Sequence, residues 1–252
     1  MPDTVLTSLL LFAVGLVAGT LNVLAGGGSM IALPVMIFLG LPATVANGTN
    51  RVAILLQNVG AASSFHRRRL ISPAWLRFGV PPAFVGAALG TWAAVVVGDV
   101  AFQKILAAVL VLATAWMLWH PVKAPTEGDT VPPTGRARWG FLALFFLVGV
   151  YGGFIQAGIG FVILAVTSAA GLDLVRGNAL KVTLVLTFTP LALAIFAFSG
   201  KVDWAMGLAL AAGNVLGAQV GVHLVVLKGH AWIRRVVTVT IVIFALKLFF
   251  TG

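Results

Sequence analysis

"AGTLNVLAGGGSMIALP", residues 18–34, lies within a run apolar enough to form one uninterrupted membrane helix, yet three glycines, a serine and a proline break it. Glycine in a helix interior costs about 1 kcal/mol relative to alanine and proline about 3 kcal/mol. At membrane depth non-helical backbone is tolerated only where it is buried in protein or lines a watery cavity. Short or Gly/Pro-interrupted segments at corresponding positions of two halves mark transporter binding sites. The stretch therefore predicts a polytopic membrane protein with a site at broken helices.

Composition supports the membrane class. Sixty per cent of the 252 residues are hydrophobic, 9% are charged, and the mean hydropathy is +1.09. A soluble domain carries roughly a quarter charged residues. Residues 1–19, "MPDTVLTSLLLFAVGLVAG", hold no Lys or Arg ahead of the apolar core, so they read as a retained first span rather than a secretory signal. The chain has no cysteine, which removes disulfide and thiol chemistry. The net charge of +10 has two readings, positive-inside topology or attraction of anions. No nucleic-acid motif accompanies it.

Apolar stretches fall at about 5–24, 30–41, 47–65, 74–98, 102–119, 139–157, 159–171, 178–199, 204–227 and 232–250. The polar interval His120–Arg138 divides the chain into an N-terminal transmembrane repeat, 1–119, and a C-terminal one, 139–252. Within the halves Gly15 matches Gly149, Gly19 matches Gly153, and Asn22 matches Gln156. "GLPATVANGTNRV", ending at Val52, parallels "GLDLVRGNALKV", ending at Val182, which aligns Arg51 with Lys181. Trp75 pairs with Trp204, and "GAALG" (86–90) with "GNVLG" (213–217).

Charge predicts how the halves are oriented. If each crosses five times, counting the short segments 30–41 and 159–171, the repeats are inverted and twelve of the sixteen basic residues fall on one side. Arg51, Lys104, Lys201 and Lys247 are the four elsewhere. If the short segments are re-entrant, the best split is nine to seven. The positive-inside rule favours inversion. The expected fold is an all-α integral membrane protein of two repeated, inverted halves, with about eight full membrane helices plus short Gly-broken segments.

The candidate site residues follow from polar groups in this apolar background. Gly26, Gly27 and Gly28 open the break in the first half, and Gly158 and Gly160 the break in the second. Where a helix restarts, unpaired N–H groups and the positive dipole end favour an anion. The alternative is that the glycines only allow close packing, as expected for Gly15-xxx-Gly19, Gly149-xxx-Gly153, Gly86-xxx-Gly90 and Gly213-xxx-Gly217-xxx-Gly221. On a helix Asn47, Asn50, Arg51, Gln57 and Asn58 share an arc of roughly 120°. Asn178 and Lys181 are their counterparts in the second half. Arg51 and Lys181 either hold an anion or snorkel to a headgroup region. Asn22 and Gln156 either bond substrate or satisfy broken backbone.

No two histidines have metal-ligand spacing, no hydrolytic triad gathers, and no cofactor motif occurs. Asp3, Asp99, Glu127, Asp129, Asp173 and Asp203 all fall in loops or near span ends, so proton coupling would run through the substrate or His223.

With these residues in view, the chain resembles the sulfite exporter TauE/SafE family of bacterial membrane transporters over nearly all its length. The carriers are "AGTLNVLAGGGSMIALP", "GLPATVANGTNRV", the basic "HRRRLISPAW" (66–75) and a second half that repeats the pattern. Asn22 and Asn50 are larger and more polar than the family pattern leads one to expect, and "GIGFVILAV" (158–166) lacks the proline that follows the first glycines. The resemblance implies export of sulfite, sulfonates or related organosulfur anions across the bacterial inner membrane. A monovalent anion leaving a negative interior gains about 2.3 kcal/mol per 100 mV, enough for roughly a 45-fold outward gradient without a coupled ion. The expected partners are a small anionic substrate and the bilayer, with a homodimer left open. The rival readings are an anion channel and a non-transporting membrane scaffold or enzyme subunit.

Overall fold

A computed structural model describes residues 4–24, 26–119 and 131–251, with side chains over 5–24, 26–109, 112 and 131–227. Most of the expected linker, with Lys123, Glu127 and Asp129, lies outside the described residues, as do Asp3 and the side chains of Lys228, His230, Arg234, Arg235 and Lys247. The described residues form nine helices and no strand: α1 (Thr4–Leu24), α2 (Ser29–Phe38), α3 (Ala43–Arg67), α4 (Pro73–Val96), α5 (Asp99–Trp119), α6 (Gly135–Phe154), α7 (Ile159–Ala169), α8 (Leu174–Phe198) and α9 (Trp204–Thr251). The protein is a multi-pass, all-helical membrane protein.

Two boundaries differ from the sequence reading. Segments 204–227 and 232–250 belong to one helix of 48 residues, because the polar residues between them interrupt hydropathy without interrupting backbone hydrogen bonding. Helix α6 starts at Gly135, inside the expected linker, since Arg136 and Arg138 are good helix formers despite their polarity. Among the described residues, α1, α4, α6, α8 and the 204–227 part of α9 are long and apolar enough to cross a membrane. Helix α3 has the length, but its buried face carries Asn47, Asn50, Arg51, Gln57 and Asn58. The short helices α2 and α7 have 10 and 11 residues, about 15–16 Å at 1.5 Å per residue.

Glycines set the two closest helix pairs. Along α9, Gly213 and Gly217 face the carbonyls of Phe12 and Leu16 on α1, while Gly15 and Gly19 of α1 face Leu210 and Asn214. Along α4, Gly86 and Gly90 face the carbonyls of Phe146 and Val150 on α6, and Gly149 and Gly153 answer from α6 against Ala83 and Ala87. A Cβ at any of these would enter the facing backbone, so both pairs depend on small residues in step. The contacts advance in the same sense on both members, so each pair is parallel. Helices α3 and α8 run antiparallel, because Gly48 and Arg51 near the start of α3 meet Phe196 near the end of α8 and Lys201 just beyond it.

Three polar contacts tie one end of the bundle. Thr44 N–H donates to Asp99 Oδ1 at 2.9 Å, Lys201 Nζ to the Val95 carbonyl at 2.8 Å, and Asp203 N–H to Thr49 Oγ1 at 2.8 Å. The start of α3 and the α4–α5 and α8–α9 turns therefore lie together, and the parallel pairing brings the start of α1 to the same end. The opposite end carries Arg67 at the end of α3, Arg68 and Arg69 just after it, Arg77 on α4, Arg136 and Arg138 on α6, and Arg176 on α8. There Trp75 is wholly buried against Phe78 and Phe145, with ring centroids 6.0 and 6.4 Å away. Asp173 caps α8 by accepting from the N–H groups of Val175 and Arg176, both at 2.9 Å.

Candidate functional site

The breaks after α1 and α6 meet inside the bundle. Gly26 and Gly160 touch backbone to backbone, so a Cβ on either would enter the other. Gly26 has φ +86° and Gly158 has φ +72°, conformations that side-chain-bearing residues rarely adopt. Gln156 adopts φ +65° without being glycine, a strained position at the same break. Gly28 is required by packing: a Cβ there would enter the Ala18 carbonyl and come within 2.7 Å of Asn22 Cγ.

Broken helices leave carbonyls unpaired at their C-terminal ends, where the dipole is negative. Each half supplies the cation for the other. Lys181 of α8 donates from Nζ to the carbonyls of Asn22 and Val23 at the end of α1, at 2.8 and 2.9 Å, and to Asn178 Oδ1 at 2.6 Å. Three acceptors match the three N–H groups of an ammonium. Arg51 of α3 donates to the carbonyls of Gly152 and Gly153 at the end of α6, at 3.1 and 2.5 Å, and to Gln156 Oε1 at 3.2 Å. Its guanidinium carbon also sits 5.0 Å from the Phe196 ring centroid. Thr91 Oγ1 and Asn47 Nδ2 complete this end, donating to the carbonyls of Gly153 and Phe154 at 3.1 and 2.8 Å. Arg51 is 0% exposed and Lys181 3%, so neither snorkels.

Beside the Gly26–Gly160 contact lies a cavity of about 30 Å³, room for about two waters. Its polar wall is Asn22, Ser29, Gln57, Asn58, Gln156 and Lys181; its apolar wall is Ile54, Ile159, Val182 and Val185. No carboxylate lines it. The N-terminal ends of α2 and α7 both reach it, through Ser29 and through Ile159 and Gly160. Asn22 Oδ1 accepts from Gly28 N–H at 2.9 Å, which holds the break, while its amide lies 3.4 Å from Gln57 Oε1. Gln156 Nε2 donates to Thr189 Oγ1 at 3.3 Å.

Of the residues expected at the site, the cavity gathers Asn22, Gly26, Gln156, Gly160 and Lys181. Arg51, Asn47, Asn50, Asn178, Gly27, Gly28 and Gly158 are outside its lining. Asn178 and Asn50 stand one step back, on Lys181 and on Ser29 Oγ at 3.0 Å. Gln57 and Asn58 line the cavity from the polar arc of α3, and Ser29, which carries no sequence signal beyond the break itself, lines it from the start of α2.

A model of the family described as sulfite exporter TauE/SafE matches residues 11–248. A "Probable membrane transporter protein ORF9" of a Sinorhizobium species is 32% identical over 244 residues, covering 94% of this chain and 90% of that protein. A "Probable membrane transporter protein" of Haemophilus influenzae is 29% identical over 231 residues, covering 91% and 89%. "Probable membrane transporter protein YfcA" of Escherichia coli K12 is 27% identical over 244 residues, covering 95% and 88%. No solved structure matches the chain.

Proposed function

Because the chain belongs to the sulfite exporter TauE/SafE family, we propose that it carries a small sulfur-containing oxyanion, such as sulfite or a sulfonate, out of the bacterial cytoplasm by alternating access. The observation that carries this reading is the cavity at the two helix breaks. Lys181 supplies charge, Asn22, Gln57, Asn58 and Gln156 supply amides, and two helix N-termini point there with no carboxylate to repel an anion. The apolar wall suits the carbon side of a sulfonate or the unhydrated face of a small oxyanion. The cavity as it stands is too tight for a hydrated ion, so the site must widen to load. Purified protein in liposomes tests the reading against sulfite, sulfate, thiosulfate and short alkyl sulfonates. Saturable flux of at least one of these is expected. Flux no greater than in protein-free vesicles would defeat it, and non-saturating flux without counter-transport would favour a channel.

Alternating access fits two inverted halves rocking about the antiparallel α3–α8 core. In this reading α1 to α5 and α6 to α9 are the repeats, and the arginine-bearing end is cytoplasmic by the positive-inside rule. The chain has no native cysteine to interfere with a labelling test. Ser72→Cys, at the arginine end, is expected to resist an impermeant thiol reagent in intact cells, whereas Ser199→Cys, at the other end, reacts. Reaction of both or neither would overturn the orientation.

A further inference from the structure

From the cavity, polar residues continue along α3 toward the arginine-bearing end. On α3, Ser64 is six residues beyond Asn58, about 9 Å along the helix, and three before Arg67. Ser64 Oγ lies 2.9 Å from Gln219 Oε1 of α9, donating to it, and 3.0 Å from the Gly60 carbonyl. The Gln219 amide lies over Gly60, where a Cβ would stand only 2.7 Å from Nε2. Gln219 is exposed, and it lies fifteen residues into the 204–227 stretch of α9 that is long and apolar enough to cross a membrane. His223, also exposed, follows one turn later on the same face. An exposed amide at that depth is unfavourable against lipid and favourable against water.

The other half lacks this feature. Aligning Arg51 with Lys181 puts Phe188 and Ala194 where α3 has Asn58 and Ser64, and aligning Gly86 with Gly213 puts Trp92 where α9 has Gln219. Phe188 is fully buried. The α3–α9 positions toward the arginine-bearing end are therefore polar, and the equivalent positions of the other half carry apolar side chains.

We propose that the transported anion reaches the cavity from the arginine-bearing end through a water-accessible crevice between α3 and α9, closed in this structure by the Ser64–Gln219 hydrogen bond. Arg67, Arg68 and Arg69, all exposed at its mouth, raise the local concentration of anions. The inference rests on the transport reading, but its test measures access to water and needs no substrate. Gln219→Cys, His223→Cys and Ser64→Cys would each be probed with a charged, membrane-impermeant thiol reagent in sealed vesicles of both orientations. Val220→Cys, at nearly the same depth and 50% exposed, is the lipid-facing control, and Ser72→Cys marks the arginine end. Gln219→Cys and His223→Cys are expected to react about tenfold or more faster than Val220→Cys, because thiolates form in water and not in lipid. They should do so in the vesicle orientation in which Ser72→Cys reacts, with Ser64→Cys slower but above the control. Rates equal to Val220→Cys, or reaction only from the opposite face, would overturn the proposal.

Discussion

Lys181→Gln is expected to lose roughly 10- to 150-fold in anion affinity, whereas Arg51→Gln keeps near-native affinity and loses stability. The first figure corresponds to one charged hydrogen bond, about 1.5–3 kcal/mol. From sequence the two cations are alternatives of one kind, aligned across the repeat and both able to hold an oxyanion. In the folded protein they cap the C-terminal ends of α1 and α6, one in each half, but only Lys181 also borders the cavity. Its side chain passes Gly160, whose added Cβ would lie 2.9 Å from Lys181 Cδ, so the amine reaches the meeting point of the two breaks. All three of its N–H groups are already engaged, so in the proposed transport cycle an oxyanion would gain direct contact by taking the place of an α1 carbonyl. Binding would then release the α1 end. Arg51 instead holds the Gly152 and Gly153 carbonyls behind Gln156, and glutamine would leave at least one buried carbonyl unpaired, at about 1–3 kcal/mol. Affinity by calorimetry and thermal unfolding, on both purified variants, separate the two roles. Equal affinity losses would return Arg51 to the binding site; unchanged affinity in Lys181→Gln would remove Lys181 from it.

The helix breaks and their polar surroundings were legible in sequence, because glycine and proline penalties and the cost of a lipid-facing amide are local properties. Gly26–Gly28 in an apolar run and the arc from Asn47 to Asn58 signal themselves without knowledge of neighbours. Partnerships between the halves were not legible. Lys181 reaches Asn22 and Arg51 reaches Gly152 across more than a hundred residues, and no local pattern tells a cation bound to helix carbonyls from one that snorkels. Asn22 illustrates the limit further: its Oδ1 holds the Gly28 N–H, while its amide turns toward Gln57. The backbone role read from the sequence is met by Oδ1, while the amide faces Gln57 of the cavity wall. Gly28 was readable as a break, but its close approach to Ala18 depends on how α2 folds back along α1.

Gly26→Ala is expected to destabilise the protein by about 2–5 kcal/mol and to abolish transport, the largest effect expected of any single methyl group here. Two terms contribute. Overpacking a tight contact costs about 1–3 kcal/mol, and the facing atoms are backbone of Gly160, which cannot turn aside as a flexible side chain can. The left-handed φ of +86° adds about 1–2 kcal/mol for a residue with a Cβ. Gly160→Ala meets the same contact from the other side but has no positive φ, so it should cost less than Gly26→Ala. Gly140 provides the contrast: a Cβ there meets nothing within 4 Å, and the site lies inside α6. Alanine at 140 should raise stability by up to about 1 kcal/mol through helix propensity alone. Thermal unfolding of the three variants in detergent gives the order directly: Gly140→Ala above the parent, Gly160→Ala below it, and Gly26→Ala lowest. If Gly26→Ala unfolds with the parent and still transports, the two breaks do not need to touch, and the cavity must be held by the Lys181 and Arg51 caps alone.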